Sequence, residues 1–129
     1  MRNYLISNYD LMNGFINEIF SNEQNATLMR TDVVKEENGF KLEIEIPGVK
    51  KEDINISYEK EYLTVSAERK VESEENENYI RTERSRLYKR SYLARGIDKD
   101  KITAKYVDGV LTVFLPLKEE DHSKKIVIE

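Results

Sequence analysis

His122 is the only histidine in the 129-residue chain, and it lies in the stretch LKEEDHSK, where only the first residue is apolar. Imidazole suits general acid–base work and zinc ligation, but a zinc site needs further nitrogen or sulfur ligands, and there is no second histidine and no cysteine. A Ser-His-Asp relay would have to be built on this charged stretch, so a solvated side chain is the expectation. No GxxxxGK[ST] run is present to cradle a nucleotide phosphate. Glu72-Ser73-Glu74-Glu75 lacks the ligand spacing and the glycine of a calcium loop. The chain therefore reads as a binding protein, not an enzyme, and no cofactor or metal is expected.

Two stretches could bind instead. Arg81, Arg84, Arg86, Lys89 and Arg90 are interleaved with Tyr79, Tyr88 and Tyr92, a pattern suited to single-stranded nucleic acid. Glu77 and Glu83 fall inside the same stretch, so salt bridging within or between subunits is favoured and nucleic acid is not expected as a partner. The second stretch is KKIVIE, in which Ile126, Val127 and Ile128 follow the charged tether. An extended Ile-x-Ile presents two side chains on one side, suited to a pair of apolar pockets. Burying both would contribute roughly 3–6 kcal/mol before ordering costs, which suits a reversible clasp. The tether from Lys118 to Lys125 spans at most about 28 Å when extended, enough to reach beyond its own domain. The alternative is that residues 126–128 form another strand of their own sheet.

The elements that must position these groups are legible in the alternation of residue types. Phe40-Lys41-Leu42-Glu43-Ile44-Glu45-Ile46 alternates strictly between apolar and charged, as a strand with one buried face requires. Asn38-Gly39 and Pro47-Gly48 bracket it as turns. Ile54 to Tyr58 and Tyr62 to Ala67 alternate again across Glu59-Lys60-Glu61, predicting a hairpin. Leu87 to Leu93 follows, then Ile102 to Tyr106 and Val110 to Leu115 joined by Asp108-Gly109, a strong two-residue hairpin signal. Six or seven short strands without helical period predict an all-β antiparallel sandwich.

Two segments depart from that pattern. Leu11, Met12, Phe15, Ile16, Ile19 and Phe20 recur at three- and four-residue steps, one apolar face of a helix. Gly14 within it costs on the order of 1 kcal/mol relative to Ala, so the helix is expected to need a partner. The stretch RKVESEENENYIRTERSR, Arg69 to Arg86, is too long for a hairpin loop and carries Tyr79-Ile80-Arg81-Thr82 as a possible short strand. The expected organisation is an arm over 1–31, a β-domain over 32–117 and a tail over 118–129. With 39% hydrophobic and 36% charged residues and a net charge of −4, the core is modest and no basic field invites polyanions. No uninterrupted apolar run suggests a signal peptide or a membrane span, so a soluble, cytoplasmic protein without a membrane partner is expected.

Ala104-Lys105-Tyr106-Val107-Asp108-Gly109-Val110-Leu111, followed by Thr-Val-Phe-Leu-Pro, resembles the A-x-x-x-n-G-V-L signature of the small heat-shock proteins, the α-crystallin family. Other landmarks come in that family's order. Ile46-Pro47-Gly48-Val49 with Lys51-Glu52-Asp53-Ile54, Tyr62 to Arg69, Tyr88-Lys89-Arg90-Ser91-Tyr92, and the final Ile126-Val127-Ile128 each resemble its segments. The order and spacing resemble the bacterial and plant branch over about residues 32–128. The chain departs from it in lacking a glycine in Glu83 to Leu87 and in having Leu93-Ala94 where Leu-Pro is usual.

The resemblance implies an immunoglobulin-like sandwich of seven or eight strands and an ATP-independent holdase that keeps unfolding proteins from aggregating. It implies a dimer made by exchanging the strand near Tyr79, Ile80 and Arg81, with Arg90 as a sensitive arginine paired with an acid at or near that interface. It also implies that the Ile-x-Ile tail docks on an adjacent dimer, between the strand Ile54 to Tyr58 and the strand Ile102 to Tyr106, with Ile54, Ile56, Ile102 and Ala104 lining the groove. A holdase needs apolar surface that is hidden until required, and the stripe Leu11 to Phe20 is the candidate for client binding. The expected partners are unfolded proteins and further copies of the chain.

Overall fold

A computed structural model describes residues 26–27, 29–71, 78–119 and 126–129. Its strands are β1 (Ala26–Thr27), β2 (Thr31–Glu36), β3 (Gly39–Glu45), β4 (Ile54–Glu59), β5 (Tyr62–Glu68), β6 (Leu87–Leu93), β7 (Thr103–Val107) and β8 (Val110–Pro116). They form two sheets, in the order β1-β6-β5-β4 and the order β2-β3-β8-β7. Every pairing is antiparallel except β1 on β6, which is parallel. The all-β sandwich read from the sequence is the fold observed.

The alternation builds the core directly. Leu42 and Ile44 of β3 pair with Val113 and Leu111 of β8, and all four are buried. From the other sheet, Leu63, Val65 and Ala67 of β5 point into the same layer opposite Tyr92, Arg90 and Tyr88 of β6. Arg90 thus occupies an inward register position among apolar neighbours. Each fully buried aliphatic side chain contributes about 1.5–3 kcal/mol, so the two inner faces hold the sheets together. Met29 is also in the core, although the expected division at residue 31 puts it with the arm.

The turns follow the twist of the strands they join. Asp108 (φ 54) and Gly109 (φ 77) are both left-handed, as a two-residue hairpin between right-twisted strands requires. The β4–β5 hairpin does the same with Lys60 (φ 51) and Glu61 (φ 69), accepting a left-handed backbone without glycine. Gly39 is constrained by space: a Cβ there would lie 2.2 Å from the carbonyl oxygen of Leu115.

Three differences from the sequence reading stand out. β2 is a full strand although Val33 and Val34 are adjacent instead of alternating; only Val33 turns toward the core. β7 begins at Thr103, one residue after Ile102, because Lys99–Lys101 form a turn of 3-10 helix whose C-cap is Ile102. The base of the excursion is closed by Arg69 N–H donating to the Arg86 carbonyl at 2.7 Å, but residues 78–86 hold no strand. Tyr79, Arg81 and Thr82 instead line a small concavity with Arg69, Arg84 and Arg86 at the base of the excursion.

Candidate functional site: a groove between edge strands

β4 and β7 are edge strands of opposite sheets, so a groove lies between them. On β4 the alternation leaves Ile54, Ile56 and Tyr58 half-buried while Asn55, Ser57 and Glu59 face solvent. Across from them, Ile102 and Tyr106 are half-buried and Ala104, at the same parity, is exposed. Ile54, Ile56, Tyr58, Ile102 and Tyr106 all pack against the core with one side only. Ile56, Tyr58, Leu63 and Ile102 line a concavity of about 260 Å³ together with the polar Ser57, Lys99 and Asp100. Of the four residues expected to line the groove, Ile56 and Ile102 line this concavity, whereas Ile54 lies further along β4 and the exposed Ala104 further along β7.

Tyr58 and Tyr106 were not read from the sequence as groove residues. Their hydroxyls explain their placement. Tyr58 donates to the Ala94 carbonyl at 2.5 Å, and Tyr106 donates to the Ile46 carbonyl at 2.6 Å. Each polar tip is satisfied on distant backbone, so the ring is left as an apolar wall. No local pattern signals these bonds; only the alternation parity of Tyr58 with Ile54 and Ile56, and of Tyr106 with Ile102 and Ala104, hints at them.

The two ends of the groove differ. At the end marked by Tyr58 it widens into a concavity of about 500 Å³ whose lining includes Glu61, Asp98, Lys99, Asp100 and Lys118. Glu52 and Asp53, just before Ile54, line a separate concavity together with Asn55, Ser66 and Lys70. The Asp108-Gly109 turn lies against Pro47, 3.4 Å from the Gly109 Cβ position. Asp53 is held by Lys70 at 3.1 Å, and this carboxylate raises the Lys70 pKa above its usual value through the hydrogen bond and the charge.

Arg90 lies elsewhere, facing the segment that leads into β2. Its guanidinium donates to the Met29 carbonyl at 2.6 Å and to the Thr31 hydroxyl at 3.1 Å, and lies 5.0 Å from the centroid of the Tyr92 ring. Thr31 and Tyr92 share a hydrogen bond of 2.6 Å between their hydroxyls. Burial raises the Tyr92 pKa above the ordinary tyrosine value; the Thr31 bond and the Arg90 charge pull the other way. Among the described residues Arg90 meets no carboxylate, and its Nε is buried without a hydrogen-bond partner. The acid partner expected for it is not among the described residues.

The remaining predicted residues are not brought together with the groove. Tyr79 is 46% exposed and Ile80 fully exposed, while Arg81 pairs with Glu83 at 3.0 Å. Ile126, Val127 and Ile128 are 82%, 80% and 93% exposed and belong to no strand. Leu11, Met12, Phe15, Ile16, Ile19, Phe20 and His122 lie outside the described residues. Among the described residues no cluster of acidic or histidine side chains is suited to a metal ion, and no helix is long and apolar enough to cross a membrane.

Comparison with known proteins points one way. The sequence model of the Hsp20/alpha crystallin family matches residues 32–129. The chain is 34% identical to heat shock protein HSP.16.4 of Streptococcus thermophilus, over 95% of this chain and 87% of that protein. It is 34% identical to small heat shock protein C4 of Rickettsia felis, over 92% and 78%. Among solved structures, heat shock protein 16.0 from Schizosaccharomyces pombe aligns with a TM-score of 0.68 and 30% identity, covering 95% of this chain and 92% of that one. A small heat-shock protein from Xylella fastidiosa, which has a distinct high order structure, aligns at 0.62 with 33% identity over 78% and 95%.

Proposed function

Because this chain belongs to the Hsp20/alpha crystallin family, a family of chaperones and not of enzymes, we propose that it is an ATP-independent holdase that binds unfolding proteins in the cytoplasm. The observation that carries the reading is a mismatch within one copy. Half-buried apolar residues of β4 and β7, Ile54, Ile56 and Ile102 among them, stand beside a groove while Ile126-Val127-Ile128 stands exposed on the same chain. Surfaces of this kind call for a cover, and a second copy carries the matching half of each.

In this reading Ile126 and Ile128 seat against Ile54, Ile56, Ile102 and Ala104 of an adjacent subunit and build dimers into a larger assembly. The dimer forms through Tyr79-Ile80-Arg81, which adds to the open edge of β2 in a partner. Among the described residues that edge is unpaired, β2 being the outermost strand of its sheet. Arg90 braces the same region by gripping Met29 and Thr31. The arm over 1–31 binds clients through Leu11, Met12, Phe15, Ile16, Ile19 and Phe20, where Met and Phe adapt to varied partners. Release of the tail on heating uncovers the groove and the arm together.

An aggregation assay on a heat-labile protein without ATP, beside an oligonucleotide titration, tests the function. Substoichiometric suppression of light scattering without ATP is expected, with no salt-dependent retention of oligonucleotide. A protein that leaves scattering unchanged but binds one defined folded partner would be a scaffold instead. Equal suppression by a chain lacking residues 1–31 would refute the client role of the arm.

A further inference from the structure

We propose that the base of the excursion between β5 and β6 binds one phosphate group, the end of a short inorganic oligophosphate, and that a phosphate held there keeps Tyr79 to Thr82 on their own domain. The site stands on its own geometry; the hold on Tyr79 to Thr82 rests on the reading that this segment adds to β2 of a partner.

Arg69, just after β5, and Arg84 and Arg86, just before β6, line a concavity of about 70 Å³ together with Tyr79, Arg81, Thr82 and Glu83. Backbone contacts fix Arg69 there. Its N–H donates to the Arg86 carbonyl at 2.7 Å, its Nε to the Ser85 carbonyl at 3.0 Å and its Nη2 to the Arg84 carbonyl at 3.3 Å. Carbonyls are neutral, so the guanidinium is positioned with its charge intact. Arg84 comes to the same place over Gly48: its Nη2 lies 3.0 Å, and Arg69 Cδ 3.5 Å, from where a Gly48 Cβ would stand. Among the described residues neither of these two arginines meets a carboxylate, whereas Arg81 is paired with Glu83 at 3.0 Å. Glu52, Asp53 and Glu68 line a separate concavity.

Two guanidiniums held close together repel, and an anion between them relieves the repulsion. Their planar forks fit the oxygens of a phosphate bidentately. The whole chain carries −4, so this attraction is local and does not come from net charge. The volume is well below the roughly 300–1,000 Å³ of pockets that enclose whole small molecules, so the concavity receives a single group. A terminal phosphate brings about −1.5 to −2 charges at pH 7 and three acceptor oxygens. Glu72, Glu74, Glu75 and Glu77 compete from the same excursion, but each carboxylate carries one charge. The diesters of a nucleic-acid backbone also carry one charge each. A terminal phosphate is therefore preferred over both. Tyr79, Arg81 and Thr82 line the concavity only while the excursion stays with its own domain. A ligand that binds this arrangement better than the exchanged one opposes the exchange by that difference in affinity.

Calorimetric titration of the full chain with sodium pyrophosphate, at ionic strength held constant with sodium chloride, tests the site. Saturable binding is expected, weakened about tenfold by Arg84→Glu and about threefold by Arg69→Lys, which keeps the charge but loses the fork. Arg84 is exposed, so its replacement leaves the core intact. Lys99→Glu, a charge reversal in the concavity beside Tyr58, is expected to leave binding unchanged. No binding, or equal binding by R84E and the parent, would overturn the site. An equal loss in K99E would make the effect one of net charge. Tighter binding of a single-stranded oligonucleotide than of pyrophosphate would overturn the ligand class. Native mass spectrometry at fixed chain concentration tests the hold on the excursion. Pyrophosphate is expected to raise the dimer dissociation constant about fivefold in the parent and not in R84E. Binding without that shift would overturn the hold and leave the site standing. Single copies throughout, with pyrophosphate bound, would sink the strand-exchanged dimer itself and the hold with it.

Discussion

The guanidinium of Arg90 donates to the backbone carbonyl of Met29 at 2.6 Å, joining the middle of β6 to the segment that leads into β2. One side chain thus ties the two sheets together at an inward position otherwise filled by apolar groups. The bond goes to a carbonyl, so it depends on where the backbone lies and not on what residue stands at position 29.

Arg90→Ala is expected to leave the Met29 carbonyl without its donor and to open a cavity beside Tyr92. An orphaned buried acceptor costs about 1–3 kcal/mol, and lost packing adds to it. For a domain near 100 residues this lowers the melting temperature by about 5–15 °C. Arg90→Lys keeps the charge but loses the planar fork and the stacking on Tyr92, so a smaller fall is expected. Differential scanning calorimetry of the two variants checks both. Equal melting temperatures for R90A and the parent would sink this account.

Tyr92 makes stability fall at alkaline pH. Its folded pKa lies above the ordinary 10.0, chiefly through burial. Below pH 10 the hydroxyl is neutral in both states and its contribution is complete. Above pH 10 the unfolded tyrosine ionises first, so that contribution is lost as pH climbs through the folded pKa. Urea melts of the parent and Tyr92→Phe between pH 7 and 11 are expected to run parallel up to about pH 9.5 and to diverge above it, with the phenylalanine variant less sensitive. Parallel curves throughout would mean that Tyr92 is ionised in the folded protein as readily as in the unfolded one.

Gly39→Ala tests close packing between β3 and the end of β8. The added Cβ would sit 2.2 Å from the Leu115 carbonyl oxygen and 2.8 Å from the Pro116 Cα, both backbone atoms. The two strands must separate, at a cost of about 1–3 kcal/mol. Chemical denaturation measures it; no loss of stability would show that β3 starts later than Gly39 in solution.

Ile44→Ala and Ile128→Ala should separate folding from assembly. Ile44 is fully buried, so truncation is expected to cost about 2–5 kcal/mol of domain stability. Ile128 is 93% exposed, so its truncation should leave domain stability within about 0.5 kcal/mol of the parent. Light scattering on I128A is expected to show smaller assemblies at an unchanged melting temperature. The reverse result, unchanged mass with a lowered melting temperature, would place the tail in its own domain's sheet.

Much of the sandwich was legible because local pattern and tertiary environment agree. The buried faces of β3, β5 and β8 are the apolar parities of Phe40 to Ile46, Tyr62 to Ala67 and Val110 to Leu115. Asp108-Gly109 marked its hairpin because few residue pairs accept two left-handed positions. β2 was less legible because Val33 and Val34 sit side by side, so its register comes from pairing with β3. β1 was not legible at all: its parallel partner is β6, some sixty residues away, and a two-residue strand carries no period.

For the site, the sequence by itself determined the apolar parities of Ile54, Ile56 and Ile102, the apolar run Ile126 to Ile128 after a charged stretch, the absence of cysteine and of a phosphate-loop motif, and the order of segments that marks the family. The tertiary structure alone decided that Tyr58 and Tyr106 become groove walls, since their hydroxyls are satisfied by carbonyls 36 and 60 residues distant. It alone decided that Arg90 bonds the Met29 carbonyl, and that the groove opens at its Tyr58 end into a concavity lined by Glu61, Asp98, Lys99, Asp100 and Lys118. The reason is the same in each case. Alternation is a property of one strand and is written in neighbouring residues, whereas a hydrogen-bond partner or a local field is set by which strands the two sheets bring face to face.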